Sequence, residues 1–127
     1  MKSIITKVLT ALILSGFCLT TYAADRINEV WTCTVNEGMS IDDVKTANHR
    51  WVKYVNKTVK GGDIQSYVVT TLVGKRGKFR YVDSFPNMKS WTGKGAAMEA
   101  EAGKKLEAEL GKVATCQSNS LYSVTES

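Results

Sequence analysis

Residues 64–85 read IQSYVVTTLVGKRGKFRYVDSF, two runs dense in β-branched and aromatic residues around Gly74-Lys75-Arg76-Gly77. Such side chains suit a pleated, half-buried surface, and a Gly-bounded polar tetrapeptide between two of these runs marks a hairpin. The stretch predicts a strand over 64–73, a turn at 74–77 and a returning strand over 78–85.

The flanks alternate between strand and helix. On the N-terminal side, residues 28–37 (NEVWTCTVNE) alternate and carry Val, Trp and Thr, as a strand does. Ser40 followed by Asp43 is a helix start related to the capping box. From there Ile41, Val44, Asn48, Trp51, Val55 and Val59 recur at spacings of three and four, one stripe of an amphipathic helix of about 18 residues. Lys57 and Lys60 suit its C-terminal end, and Gly61-Gly62 its stop. On the C-terminal side, Pro86-Asn87 opens a second helical region with Met88 and Trp91. Gly93 and Gly95 are expected to kink it before Ala96–Val113, where Met98, Ala102, Leu106, Leu110 and Val113 keep helical spacing. Residues 116–125 close the chain as a strand.

The order is β-α-β-β-α-β, the ferredoxin-like split βαβ arrangement: an α+β fold with a four-stranded antiparallel sheet and two helices on one face. Its first and last strands are antiparallel neighbours. Trp31, Cys33 and Val35 share one side of the first strand, while Val30, Thr32 and Thr34 share the other. In the second strand Tyr67, Val69 and Val73 oppose Ile64, Val68 and Leu72. Both faces carry apolar groups, and the face without helices is expected to meet a second copy in a homodimer.

The first 24 residues differ from the rest. Lys2 and Lys7 precede an uncharged apolar run of 12 residues, Val8–Leu19, and Thr21-Tyr22-Ala23-Ala24 offers small residues for cleavage. This is the pattern of a secretory signal peptide, too short for the roughly 20 residues of a spanning helix. Leu14-Ser15-Gly16-Phe17-Cys18 approaches a lipobox, but Phe17 stands where a small residue must be. The expectation is a chain exported to the periplasm or medium, cleaved near Ala23-Ala24, with no membrane anchor retained and one domain over 25–127. Of 17 basic residues, Lys2 and Lys7 lie in this leader, leaving 15 against 12 acidic residues and a net charge of +3. That balance, with export, argues against a nucleic-acid partner.

Three cysteines are present, and Cys18 departs with the leader. Cys33 and Cys116 remain, a single pairing in an oxidising compartment. They lie on the two strands that the topology makes neighbours, so a disulfide between them is expected to join the first strand to the last.

Tyr81-Val82-Asp83-Ser84-Phe85-Pro86-Asn87-Met88-Lys89-Ser90-Trp91, together with the element order, resembles the dimeric α+β barrel superfamily, in particular the antibiotic-biosynthesis-monooxygenase-like domains. The passage is similar to that family's third strand running into a helix that starts with a Ser-Phe pair and carries a Trp. The resemblance implies a ligand cavity between helices and sheet. It covers activities from cofactor-free oxygenation to haem degradation and polyketide cyclisation. Haem-degrading members carry a histidine about ten residues after that Trp, where this chain has Glu101. Its one histidine, His49, lies on the other helix, 120° or so from the apolar stripe, and is expected in solvent. Neither haem, a metal nor another cofactor is therefore expected.

Asn48 places an amide near the middle of an apolar stripe, where it must find a hydrogen-bond partner or cost roughly 1–3 kcal/mol. It reads either as a structural amide or as a polar group aimed into a pocket. Asn48, Trp51, Tyr81 and Trp91 form the candidate ligand lining, since such sites are mostly apolar with few polar groups. Lys75, Arg76, Lys78 and Arg80 form a basic hairpin, either a solvated edge guard or a surface for an anionic partner. Asn56-Lys57-Thr58 matches a glycosylation acceptor but falls inside a helix. The sequence supports three functions: binding of a small apolar or aromatic ligand or another non-catalytic role, cofactor-independent oxygenation, and interaction through the basic hairpin.

Overall fold

The computed structural model describes residues 25–127. The leader at residues 1–24 lies outside the described residues. The elements are β1 (Arg26–Val35), α1 (Ile41–Thr58), β2 (Gln65–Thr70), β3 (Phe79–Phe85), α2 (Met88–Glu99), α3 (Glu101–Val113) and β4 (Ala114–Val124). One antiparallel sheet has the order β2-β3-β1-β4. The α+β ferredoxin-like architecture is as the sequence predicts, with a third helix.

That helix comes from a break in the second helical region. The chain stays helical through Gly93 and Gly95 and breaks instead at Ala100, which is extended at φ −68° and ψ 158°. Gly103 in the first turn of α3 permits this bend. A Cβ there would stand 2.3 Å from the Ala97 carbonyl oxygen and 2.6 Å from the Met98 Cα. The two helices meet at an elbow that only a bare Cα fits. Tyr54 on α1 fixes the same elbow, its hydroxyl donating to the Ala97 carbonyl at 2.6 Å.

Helix α1 begins as its sequence signals. The Ser40 hydroxyl accepts from the Asp43 amide and Asp43 accepts from the Ser40 amide, a complete capping box. Its buried stripe is Val44, Ala47, Asn48, Trp51 and Val55, and His49 lies on the exposed side. Asn56 is held by the backbone: its amide donates to the Val52 and Ile64 carbonyls, and its oxygen accepts from the Ile64 amide. It closes the α1–β2 turn.

Strand β2 ends at Thr70, three residues before the predicted limit, so the β2–β3 connection is a loop over 71–78. The buried face of the sheet carries Glu29, Trp31 and Cys33 from β1, and Phe79, Tyr81, Asp83 and Phe85 from β3. Two apolar clusters form beneath the helices. One joins Cys33, Phe79 and Tyr81 to Val44 and Val113. The other joins Phe85 to Trp51, Val55, Val59, Ile64 and Ala97. The opposite face presents Tyr67, Val69, Tyr122 and Val124, each at least 43% exposed.

Cys33 and Cys116 are register partners and form the disulfide. Between Thr32 and Cys33 the pairing slips by one residue, a bulge that brings the two cysteines opposite each other.

Candidate functional site

A cavity of about 400 Å³ lies between the sheet and the three helices. Strands β1 and β3 contribute Glu29, Trp31, Tyr81 and Asp83. Helix α1 contributes Asn48 and Trp51, and α2 contributes Lys94, Gly95 and Met98. Glu107, Leu110 and Gly111 of α3, with Ala114 and Cys116 of β4, complete the wall. Alternation within each strand explains the mixture. Tyr81 and Asp83 both point inward because they are two residues apart, and Glu29 and Trp31 do so for the same reason.

Three of the four residues read from the sequence as candidates, Asn48, Trp51 and Tyr81, meet at this cavity. The fourth, Trp91, does not line it. It packs part-buried against the cluster around Phe85, its indole N–H has no partner among the described residues, and its ring lies 5.6 Å from the Lys94 ammonium. Trp31 takes a place in the lining instead.

The polar part of the site is a connected set. The Asn48 amide donates to the Ser66 hydroxyl at 2.9 Å, and that hydroxyl donates to Asp83 Oδ1 at 2.5 Å. Asp83 stands opposite Glu29 in the β1–β3 register. Glu29 accepts from the Lys94 ammonium at 2.8 Å through one oxygen and from the Asn119 amide at 3.3 Å through the other. Lys94 also lies 5.9 Å from the Phe85 ring centroid, a cation enclosed by aromatics and paired with one acid.

These surroundings set the proton affinities. Burial pushes the Asp83 carboxyl up to about 7, with Glu29 adding to the rise, while the Ser66 hydrogen bond and Lys94 oppose it. Burial, then the charge of Asp83, pushes the Tyr81 phenol up to about 12. The Tyr81 hydroxyl is buried with no hydrogen-bond partner among the described residues. An unsatisfied hydroxyl of this kind is uncommon in a finished core. The arrangement can hold a flat apolar body between Trp31, Trp51 and Met98, and can exchange a proton with a polar edge through Asp83 and Tyr81.

Sequence reasoning passed over Glu29, Asp83 and Lys94. The signal for the two acids was present: each alternates with Trp31 or Tyr81 on the side of its strand that carries the core. Lys94 had no such signal, because α2 is only weakly amphipathic and its sequence does not mark the inward face.

No protein-family model matches the chain, and no curated protein matches its sequence. Solved structures do match. SnoaB, a cofactor-independent oxygenase from Streptomyces nogalater, superposes with a TM-score of 0.60 at 11% identity, over 82% of this chain and 97% of that one. A Caulobacter crescentus structure described as an antibiotic biosynthesis monooxygenase gives 0.55 at 12% identity, over 84% and 93%. A dimeric ferredoxin-like protein of unknown function from Thermobifida fusca gives 0.53 at 9%, over 83% and 96%. At such identities the likeness is one of fold. The chain carries the ferredoxin-like α+β fold that these structures share.

Proposed function

We propose that the protein binds a small aromatic molecule bearing a hydroxyl group, in the cavity between sheet and helices. The observation that carries this reading is the pairing of Asp83, a buried carboxyl poised near neutrality, with the unpartnered Tyr81 hydroxyl on one aromatic-lined wall. A phenol donates to the Asp83 carboxylate and accepts from Tyr81, while its ring takes the apolar surface of Trp31 and Trp51. Asn48 acts through Ser66, holding Asp83 in place. Naphthol is a suitable probe. One saturable site per chain, weakened in Asp83→Asn and Tyr81→Phe, supports the reading; absence of saturable binding removes it.

The same carboxyl favours a second reading, cofactor-independent oxygenation. Asp83 accepts the hydroxyl proton and leaves an electron-rich phenolate, which reacts with dioxygen. With naphthol the products are naphthoquinone and water, which balances one dioxygen per substrate. The oxygenases among the structural neighbours favour this chemistry at the level of the fold. Oxygen uptake with quinone formation, lost in Asp83→Asn, tests it. Binding without uptake leaves the first reading in force and removes the second.

Two further features belong to this reading. The exposed Tyr67, Val69, Tyr122 and Val124 on the open sheet face support a homodimer through that face, and mass measurement in solution tests it. The leader at residues 1–24 and the Cys33–Cys116 bond support export to an oxidising compartment. N-terminal sequencing of the protein from the exported fraction of its host tests that.

A further inference from the structure

The loop joining β2 to β3 combines two features that seldom share a solvated turn. Leu72 is 82% and Val73 94% exposed, far beyond any other large aliphatic among the described residues. Beside them Lys75, Arg76, Lys78 and Arg80, with Thr71 and Gly77, line an open depression of about 350 Å³. None of the four cations forms a salt bridge among the described residues, and residues 64–82 contain no acid. The loop is held in shape by the Arg76 guanidinium, which donates to the Leu72 carbonyl at 3.2 Å. It also leaves from β2, an edge strand of the sheet.

Cations alone would be explained as guards of an exposed edge. A guard does not need two adjacent bare aliphatics at its tip. We infer that this loop docks the protein reversibly on an anionic lipid surface. Lys75, Arg76 and Lys78 lie against headgroup phosphates, which accept their N–H groups, and Leu72 and Val73 enter the boundary between headgroups and acyl chains. Attachment to a bilayer by a peripheral segment takes two signals, an apolar insertion and an electrostatic attraction, and the loop supplies both. The charge complementarity is one-sided: a second copy of this loop would bring Lys75, Arg76 and Lys78 against the same three cations, whereas an anionic leaflet neutralises them.

No residue of this loop lines the site cavity, so the docking is tested without disturbing the ligand site. The protein is sedimented with vesicles of phosphatidylcholine alone and with vesicles containing about one third phosphatidylglycerol, at low and high salt. The expected result is binding to the anionic vesicles only, weakened by salt. It should fall about tenfold or more in Arg76→Glu/Lys78→Glu and in Leu72→Ser/Val73→Ser, with thermal unfolding unchanged. Equal sedimentation of the wild type and both variants, or no binding to the anionic vesicles, would overturn the inference. So would a Leu72→Ser/Val73→Ser variant that turns a lipid-free dimer into a monomer, since the tip would then belong to a second copy.

Discussion

Glu29 and Asp83 stand directly opposite each other on β1 and β3, two carboxyls on the buried face of one sheet, with the Lys94 ammonium bonded to Glu29 at 2.8 Å. Like charges side by side in a cross-strand pair oppose folding. The pair persists because Lys94 takes one acid while Asp83 holds a proton more tightly than a free carboxyl does. A core built only for stability would place apolar side chains at both positions.

The first consequence concerns pH. The Asp83 carboxyl, ordinarily near 3.8, is raised to about 7 by burial. The folded state therefore binds more protons than the unfolded state between these values, and stability falls as pH rises through that window. The favourable contribution is full below about pH 4 and gone above about pH 7. Asp83→Asn keeps an acceptor for Ser66 and removes the titration. Melting temperatures at pH 5 and pH 8 should show the variant gaining on the wild type at pH 8 by on the order of 2 kcal/mol. An equal pH dependence in both proteins would contradict the assignment.

Lys94 should matter more than an ordinary surface lysine. Its side chain is 15% exposed and that of Glu29 4%. Lys94→Ala leaves a buried acid with only Asn119 for company and should cost about 3–5 kcal/mol in chemical denaturation. Glu29→Gln/Lys94→Met removes both charges and should recover most of that loss. A Lys94→Ala variant as stable as the wild type would show that the pair is not buried in solution.

The disulfide closes a loop with a sequence separation of 83. In the chain-entropy view its loss destabilises by about 2–4 kcal/mol, allowing for the shortfall usual in measured cases. For a domain of this size that lowers the melting temperature by roughly 10–20 °C. Calorimetry with and without reductant, and of Cys33→Ser/Cys116→Ser, checks this. No shift on reduction would place the cysteines apart.

Gly103→Ala tests the elbow between α2 and α3. In a plain helix the change is stabilising by up to about 1 kcal/mol. Here the new Cβ meets the backbone of Ala97 and Met98, which cannot yield as a side chain would. The expected result is a destabilisation of about 2 kcal/mol or more, read as a lower denaturation midpoint. Gly111→Ala, with nothing within 4 Å of its Cβ, is the control.

Much of this fold is legible in residue pattern. The stripe Val44, Asn48, Trp51 and Val55 gives α1 its buried face, Ser40 and Asp43 give its start, and the position of the two cysteines follows from strand order. What pattern does not carry is close approach. Gly93 and Gly95 look like breaks, yet the chain passes through them and bends at Ala100, where the backbone contact that Gly103 permits is a tertiary fact. The end of β2 at Thr70 is similar: Leu72 and Val73 have strand propensity but no neighbour to pair with. In the candidate site, aromatic and amide positions stand out against an apolar stripe, and Asp83 and Glu29 stand on the apolar half of their alternating strands, but that the two acids face each other becomes visible only when β1 pairs with β3.

Whether Asp83 and Tyr81 bind a hydroxylated aromatic ligand in the cavity is decided by naphthol titration followed through tryptophan fluorescence. The expected result is one saturable site per chain whose affinity rises as pH passes through about 7, following ionisation of Asp83. Asp83→Asn should weaken binding about tenfold or more and abolish the pH dependence, as loss of a charged hydrogen bond does. Binding that does not saturate, or that is unchanged in both Asp83→Asn and Tyr81→Phe, would contradict the claim.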